Sequence, residues 1–139
     1  MTRKLQDVGL SIKRVQHHNH REMNKKLHTL GISLVQWDTL RHISEQPNGS
    51  MHKLALLTFQ SDQALGTLAT RMQKQGLIIK SNGSGRANKL SLTKKGVELQ
   101  SLGSNVVEDI LAETFSPLSA PQMKTLDSLL CQILNMRLH

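Results

Sequence analysis

The chain has 139 residues and a mass of 15.5 kDa, a length that suits one domain, or one small domain with helices that pair it with a second copy, and that excludes two large domains. Eighteen Lys and Arg residues against ten Asp and Glu give a formal net charge of +8 with histidine neutral, which favours an anionic partner such as nucleic acid or a membrane surface. Hydrophobic residues make up 37% of the chain and aromatic residues only 2%, so packed helices are favoured over a β-sandwich.

The sequence carries no sign of membrane insertion or secretion. The longest apolar run covers residues 54–57, far below the ~20 residues that span a bilayer, and residues 1–7 lack the apolar stretch of a signal peptide. The single Cys131 excludes an internal disulfide and a Cys-based zinc site within one chain. The nearest basic residue in sequence is Arg137, so a buried, inert thiol is predicted, with a redox switch as the alternative. We therefore predict a cytoplasmic protein that does not bind a membrane.

Charge is distributed unevenly along the chain. Residues 61–97 hold seven basic residues and one acidic residue, whereas residues 98–139 hold two basic and five acidic residues. Residues 1–30 carry a net charge of +5, and residues 31–60 are neutral. The basic central segment is therefore predicted to be the contact surface for an anionic partner.

Three helices are predicted in the first half of the chain. The first covers residues 5–30, ends at Gly31 and has an apolar seam typical of a helix that packs lengthwise on another, formed by Leu5, Val8, Ile12 and Val15. The second begins at a capping box over residues 33–36 and ends near residue 46, and its inward residues are Trp37, Leu40 and Ile43. A short third helix is predicted over residues 51–57.

A fourth predicted helix lies between Ser61, a candidate N-cap, and Gly76. Its apolar face fits the i, i+3, i+4, i+7 spacing and consists of Leu65, Leu68, Ala69 and Met72. The opposite face has no acidic residue and consists of Gln63, Thr67, Thr70 and Lys74, flanked by Gly66 and Arg71. These residue types suit a groove of double-stranded DNA, since Gln can pair with an adenine edge and Thr can contact a thymine methyl group.

Two strands and two helices complete the chain. Residues 77–80 and 89–92 are predicted to pair as a hairpin with a long tip that includes Arg86, a residue able to enter a narrow minor groove. A helix then follows Thr93 to about Phe115, and its predicted inner residues are Leu99, Leu102, Val106 and Ile110. A second capping box over residues 119–122 begins the last helix, whose seam consists of Leu126, Leu130 and Ile133.

This order of elements resembles the multiple-antibiotic-resistance regulator (MarR) family of bacterial transcription factors. The matching stretches are residues 30–37 (LGISLVQW), 68–78 (LATRMQKQGLI) and 86–96 (RANKLSLTKKG). The resemblance implies a mainly α fold with a small β-hairpin wing. Residues 31–96 would form a winged helix-turn-helix DNA-binding domain, residues 1–30 an N-terminal dimerisation helix, and residues 97–139 the C-terminal dimerisation helices.

The function implied is that of a transcriptional regulator, a repressor released by a small-molecule effector. It would bind a pseudo-palindromic operator as a homodimer, with the fourth helix in the major groove and the wing along the minor groove. The candidate DNA-binding residues are Ser61, Gln63, Gly66, Thr67, Thr70, Arg71, Lys74, Arg86, Asn88 and Lys89. Three departures from the family are Phe59 in place of a turn glycine, Gly66 and Thr67 in place of a small polar residue and often an arginine, and Ser84 in place of a wing aspartate. The first leaves the fold intact if Phe59 packs inward.

Other functions have weaker support in the sequence. His17, His28 and Trp37 are candidate effector ligands, although solvated histidines and a core tryptophan explain them more simply. The cluster of His17, His18 and His20 has few neighbouring carboxylates, so neither a metal site nor another cofactor is predicted. No catalytic motif is present, so an enzyme is not predicted. The alternative function is a winged-helix module that binds a partner protein or RNA.

Overall fold

The computed structural model describes residues 3–47, 49–82 and 88–137. Within these ranges the chain forms six α-helices and one two-stranded antiparallel sheet. The elements in chain order are α1 (Leu5–His28), α2 (Leu34–Glu45), α3 (Met51–Leu57), α4 (Asp62–Lys74), β1 (Ile78–Asn82), β2 (Asn88–Leu92), α5 (Lys94–Thr114) and α6 (Ala120–Arg137). This order confirms the predicted mainly α fold with a hairpin wing.

Side-chain caps begin the helices where the sequence predicts them. The backbone N–H of Gln36 donates to the Ser33 hydroxyl at 3.1 Å, and the Ser33 N–H donates to the Gln36 side chain at 3.0 Å. The second capping box, between Ser119 and Gln122, has the same two hydrogen bonds at 3.2 and 2.9 Å. Both capping boxes are therefore confirmed, and each supplies partners to helix N–H groups that have none within the helix.

The hydrophobic core lies where α1, α2, α4, α5 and the hairpin meet. Its most deeply buried apolar side chains are Leu27, Leu40, Leu65, Met72, Leu77 and Ile78. Trp37 is also buried, and its indole N–H donates to the backbone carbonyl of Gln100 at 3.1 Å. The core therefore joins the terminal helix α1 and the long helix α5 to the central helices.

The inner face of α5 includes three of its four predicted residues, since Ile110 is buried and Leu99 and Val106 pack partly buried against the core, but Leu102 does not belong to it. Leu102 is 42% exposed, whereas Gly103, Val107 and Ile110 are buried. Gly103 lies against Trp37, and a Cβ atom at this position would be 2.8 Å from the indole Nε1. Only glycine leaves room for the Trp37 ring at this position. The face of α5 that contains Gly103 can therefore pack against the core.

The apolar seams of the terminal helices remain exposed in the single chain. On α1 the exposed residues are Leu5, Val8, Ile12 and Val15, and on α6 they are Leu129, Leu130, Ile133 and Leu134, with exposures between 41% and 89%. Cys131 on α6 is also exposed, so the prediction that it is buried is wrong for the single chain. Among the described residues, no helix is both long and apolar enough to cross a membrane.

Candidate nucleic-acid interface

Helix α4 is held to the protein by one face only. Leu65, Ala69 and Met72 are buried and Leu68 is partly buried, as the spacing predicted. The helix begins at Ser61, whose hydroxyl accepts the Ala64 N–H at 3.0 Å. Because the inner face is fixed in the core, the outer face has a defined orientation toward solvent.

The outer face of α4 carries the polar residues that the sequence singled out. Gln63, Thr67, Thr70, Arg71 and Lys74 are exposed. Thr67 donates its hydroxyl hydrogen to the Gln63 carbonyl, and Thr70 donates to that of Gly66, each at 3.1 Å. Gly66 is partly buried. The threonine protons are thus used within the helix, which leaves each oxygen as an acceptor and each methyl group for apolar contact.

The C-terminal end of α4 is tied to two other helices through Gln75. The Gln36 side chain on α2 donates to the Gln75 side chain at 3.0 Å, and the Lys95 ammonium on α5 donates to the Gln75 carbonyl at 3.1 Å. Gly76 follows with a φ of +76°, which ends the helix and starts the approach to β1. These two hydrogen bonds link the end of α4 to α2 and α5.

One acidic residue borders the outer face. Asp62 lies in the first turn of α4, and its carboxylate is 3.0 Å from His52 Nδ1 on α3. Both side chains are exposed, so this contact contributes little to stability. This pair cannot be predicted from local sequence, because only the turn between α3 and α4 brings residues ten positions apart together.

Further candidate DNA-binding residues belong to the hairpin, which follows α4 in the chain. Strands β1 and β2 pair from Ile78 with Leu92 to Asn82 with Asn88. Lys89 is exposed on β2. Arg86 and Ser84 lie outside the described residues, between the two strands.

A cleft of about 780 Å³ lies between α1, α2, α5 and the turn after α3. Trp37 lines it, as do Met23, Val107 and Leu111, and its polar lining includes His20, Asp38, Arg41 and Glu108. His17 instead lines a separate depression on α1 with Lys13 and Arg14, and His28 is exposed. The sequence analysis did not select His20 as a ligand candidate, although it lies three residues before the core residue Met23.

Phe59 lies at the edge of this cleft and does not pack inward, and the turn is nevertheless formed. Its side chain is 96% exposed, and its φ is +57°. Glycine adopts this left-handed conformation readily, whereas it costs a bulky residue about 1–2 kcal/mol. This turn therefore combines a strained backbone with an exposed aromatic ring.

No metal centre is formed within residues 3–47, 49–82 and 88–137. No group of three or more His, Cys, Asp or Glu residues in these ranges is arranged to hold an ion.

Comparison with known proteins agrees with this geometry. The model of the MarR family matches residues 30–87. The HTH-type transcriptional repressor Rv2887 of Mycobacterium tuberculosis is 30% identical over 105 residues, which cover 74% of this chain and 76% of the repressor. Its structure in complex with p-aminosalicylic acid has a TM-score of 0.75 at 26% identity and covers 90% of this chain and 96% of that one.

A mutant of MarR from Escherichia coli, solved with operator DNA, has the same fold. Its TM-score is 0.83 at 22% identity, and the match covers 92% of this chain and 94% of that one. With the family model, the Rv2887 relative and the fold in agreement, the chain belongs to the MarR family of transcriptional regulators.

Proposed function

We propose that the chain is a sequence-specific DNA-binding repressor that acts as a homodimer and is released by a small-molecule effector. The observation that carries the proposal is the outer face of α4, which is exposed, rigidly supported and composed of Gln, Thr, Arg and Lys residues. A protein with this role acts in the cytoplasm of a bacterium and needs no catalytic group.

The candidate DNA-binding residues of α4 and the wing form two groups with different roles. Gln63, Thr67 and Thr70 have the groups that read base edges, and Gly66 between them lets the helix backbone approach DNA closely. The groups suited to phosphate oxygens belong to Ser61, Arg71 and Lys74 on α4 and to Arg86, Asn88 and Lys89 of the wing. Base contacts would set the preferred operator, and phosphate contacts would set the orientation of the protein on it.

The two terminal segments are proposed to form the dimer. They cover residues 1–30 and 97–139, and the DNA-binding segment lies between them at residues 31–96. The exposed seams of α1 and α6 are an apolar surface that a single chain leaves in water. The net charge is +5 for residues 1–30 and negative for residues 98–139, so opposite charges can meet between two copies.

The cleft is proposed to be the effector site. It adjoins the turn before α4, and α2 and α5, which line it, also hold Gln75 at the end of α4. An effector that binds the cleft more tightly when the spacing of the two α4 helices does not fit DNA would shift the dimer to that arrangement. The coupling free energy needed is about 1–3 kcal/mol. The Rv2887 relative, solved with p-aminosalicylic acid, supports a ligand-binding role.

Selection from a random pool of duplex DNA, followed by sequencing, tests the proposed function. We expect enrichment of a site with two related half-sites about one helical turn apart, or a multiple of it. A footprint over one half-site would contradict the dimeric arrangement. Absence of any enriched sequence, together with retention of RNA or a partner protein, would favour the alternative interaction module.

A further inference from the structure

We infer that His52 is a further DNA-binding residue, whose protonated ring donates a hydrogen bond from Nε2 to a phosphate oxygen. Asp62 is the positioning residue that holds this ring. Each protomer therefore takes up a proton when it binds DNA. The inference rests on the proposed function, since it adds a contact to the same DNA-binding surface.

His52 lies beside the start of α4. It belongs to the first turn of α3, and its Nδ1 atom is 3.0 Å from Oδ1 and 3.1 Å from Oδ2 of Asp62, in the first turn of α4. Asp62 stands between Ser61 and Gln63, two candidate DNA-binding residues. The His52 ring is therefore at the N-terminal edge of the surface proposed to contact DNA.

The contact with Asp62 fixes the tautomer of the His52 ring. A carboxylate can only accept hydrogen bonds, so Nδ1 of His52 is the donor and carries a hydrogen. In the neutral ring Nε2 then carries a lone pair, and an ionised DNA phosphate has no hydrogen to donate to it. Protonation converts Nε2 into a donor. His52 can therefore bind a phosphate oxygen only in its charged form.

The second nitrogen of the His52 ring has no competing partner in the part of the chain that the structure describes. The contacts with Asp62 are the only hydrogen bonds of the ring there, and all of them involve Nδ1. The side chain of His52 is 70% exposed and that of Asp62 is 67% exposed. The ring is thus held at one nitrogen and accessible to DNA, so less conformational entropy is lost when a phosphate binds.

The charges around His52 determine how its protonation depends on DNA. Helix α3 packs on α2, α4 and β2. Besides Asp62, the titratable or charged groups on α3 and these elements are Lys53, Asp38, Arg41, His42, Glu45, Arg71, Lys74 and Lys89. Within the described residues, none of them forms a hydrogen bond or an ion pair with His52.

A bound phosphate places a second negative charge beside the His52 ring. This charge stabilises the protonated ring more in the complex than in the free protein. A proton is therefore taken up on binding, and the affinity for DNA rises as the pH falls through the range in which histidine titrates. The protonated ring also offsets the charge of Asp62, the one acidic residue of α4, which by itself would repel DNA.

The pH dependence of operator affinity tests the inference, with the duplex enriched by the selection experiment as the probe and the salt concentration held constant. We expect the affinity of the unchanged chain to rise at least about tenfold from about pH 8 to about pH 6. His52→Asn keeps an amide donor for Asp62 but cannot become charged. This variant should match the unchanged chain at the higher pH and lose the rise.

His18→Gln is the matched control for the loss of a histidine. His18 is exposed and lines a depression between α1 and α5, away from α4, so this variant should keep the full rise in affinity. An equal effect of the two substitutions, or no rise in the unchanged chain, would overturn the inference.

Asp62→Asn distinguishes a positioning role from a simple charge effect. If Asp62 only repels DNA, its replacement raises the affinity by the same factor at every pH. If Asp62 holds the protonated ring, a neutral amide supports that ring less well, and we expect the rise in affinity to begin at a lower pH. A uniform gain in affinity would show that Asp62 does not act through His52.

Calorimetry of operator binding in buffers with different ionisation enthalpies counts the protons directly. We expect the unchanged chain to take up more protons than His52→Asn, by up to about two per dimer. Equal uptake by the two proteins would contradict a role for His52 in binding.

Failure of this inference and failure of the proposed function have different signatures. If duplex selection enriches an operator whose affinity does not depend on His52, the inference is wrong and the DNA-binding function stands. If no operator is enriched, the proposed function itself is wrong.

Discussion

Gly103 allows helix α5 to lie against the indole of Trp37. A Cβ atom there would be 2.8 Å from Nε1 of Trp37 and 3.2 Å from Cδ2 of Leu27, so an added methyl group forces the ring or the helix to move. We expect Gly103→Ala to lower the free energy of unfolding by about 1–3 kcal/mol. Urea unfolding followed by Trp37 fluorescence measures this loss.

Gly9→Ala on α1 is the control, because a Cβ there meets no atom within 4 Å. It replaces a helical glycine in open space and should raise stability by up to about 1 kcal/mol. A Gly103→Ala protein as stable as this control would contradict the close packing of α5 on Trp37.

Phe59 combines an exposed ring with a left-handed backbone, and two substitutions separate these properties. Phe59→Gly removes both the ring and the strain, so we expect it to raise the free energy of unfolding by about 1 kcal/mol. Phe59→Ala removes only the ring and should not give this gain. Thermal unfolding of the two variants makes the comparison, and equal stability of both would show that the turn is not strained.

Thr70 and Arg86 are expected to differ in how they act on DNA. Thr70 is central on the outer face of α4, so Thr70→Ala should change the preferred bases and barely alter the dependence of affinity on salt. Arg86→Ala should weaken binding to all sequences and lower the logarithmic salt slope by about one per protomer, or about two per dimer. Duplex selection and binding at several salt concentrations measure both effects. A full salt slope in Arg86→Ala would show that this residue does not neutralise a phosphate.

The helices show which properties can be predicted from local sequence and which cannot. The caps at Ser33 and Ser61 depend on residues within one turn, so their chemistry was readable in advance. Leu102 was predicted to face inward, one residue before the buried Gly103, because a search for large apolar residues passes over a glycine whose fit depends on Trp37, far away in the chain. His20 in the cleft was missed for the same reason, since α1 meets α2 and α5 only in the fold.

Gly66 in α4 provides a test in which stability and DNA affinity should change in opposite directions. A Cβ atom there meets nothing within 4 Å, so Gly66→Ala should raise the free energy of unfolding by about 0.5–1 kcal/mol. The added methyl group lies on the face proposed to approach DNA and should weaken binding. Thermal unfolding and operator binding are measured on the same sample, and unchanged affinity would show that the helix backbone does not approach the duplex closely at this point.

In the whole molecule, the proposed DNA-binding surface and the proposed dimer surface belong to different parts of the chain. The neutral and basic segment 31–97 contains α4, both strands and most of the core residues, while the exposed apolar seams belong to the first and last helices. Because α1 and α5 line the proposed effector cleft, a change in the way two copies meet in the proposed dimer would alter the cleft and the spacing of the two α4 helices together. Dimer geometry is therefore the property through which an effector would act.

Ile133 on α6 tests whether the terminal helices form the dimer. Its side chain is 54% exposed in the single chain, and Ile133→Glu would bury a charge if the seam is an interface. We expect the unchanged chain to sediment as a dimer at micromolar concentration and the variant as a monomer. Affinity for an operator with two half-sites should then fall about a hundredfold or more, because the two α4 helices are no longer linked. Leu56→Glu is the control, since Leu56 is 64% exposed on α3, outside the terminal helices, and should leave the dimer intact. A dimer that survives Ile133→Glu would place the interface elsewhere on the molecule.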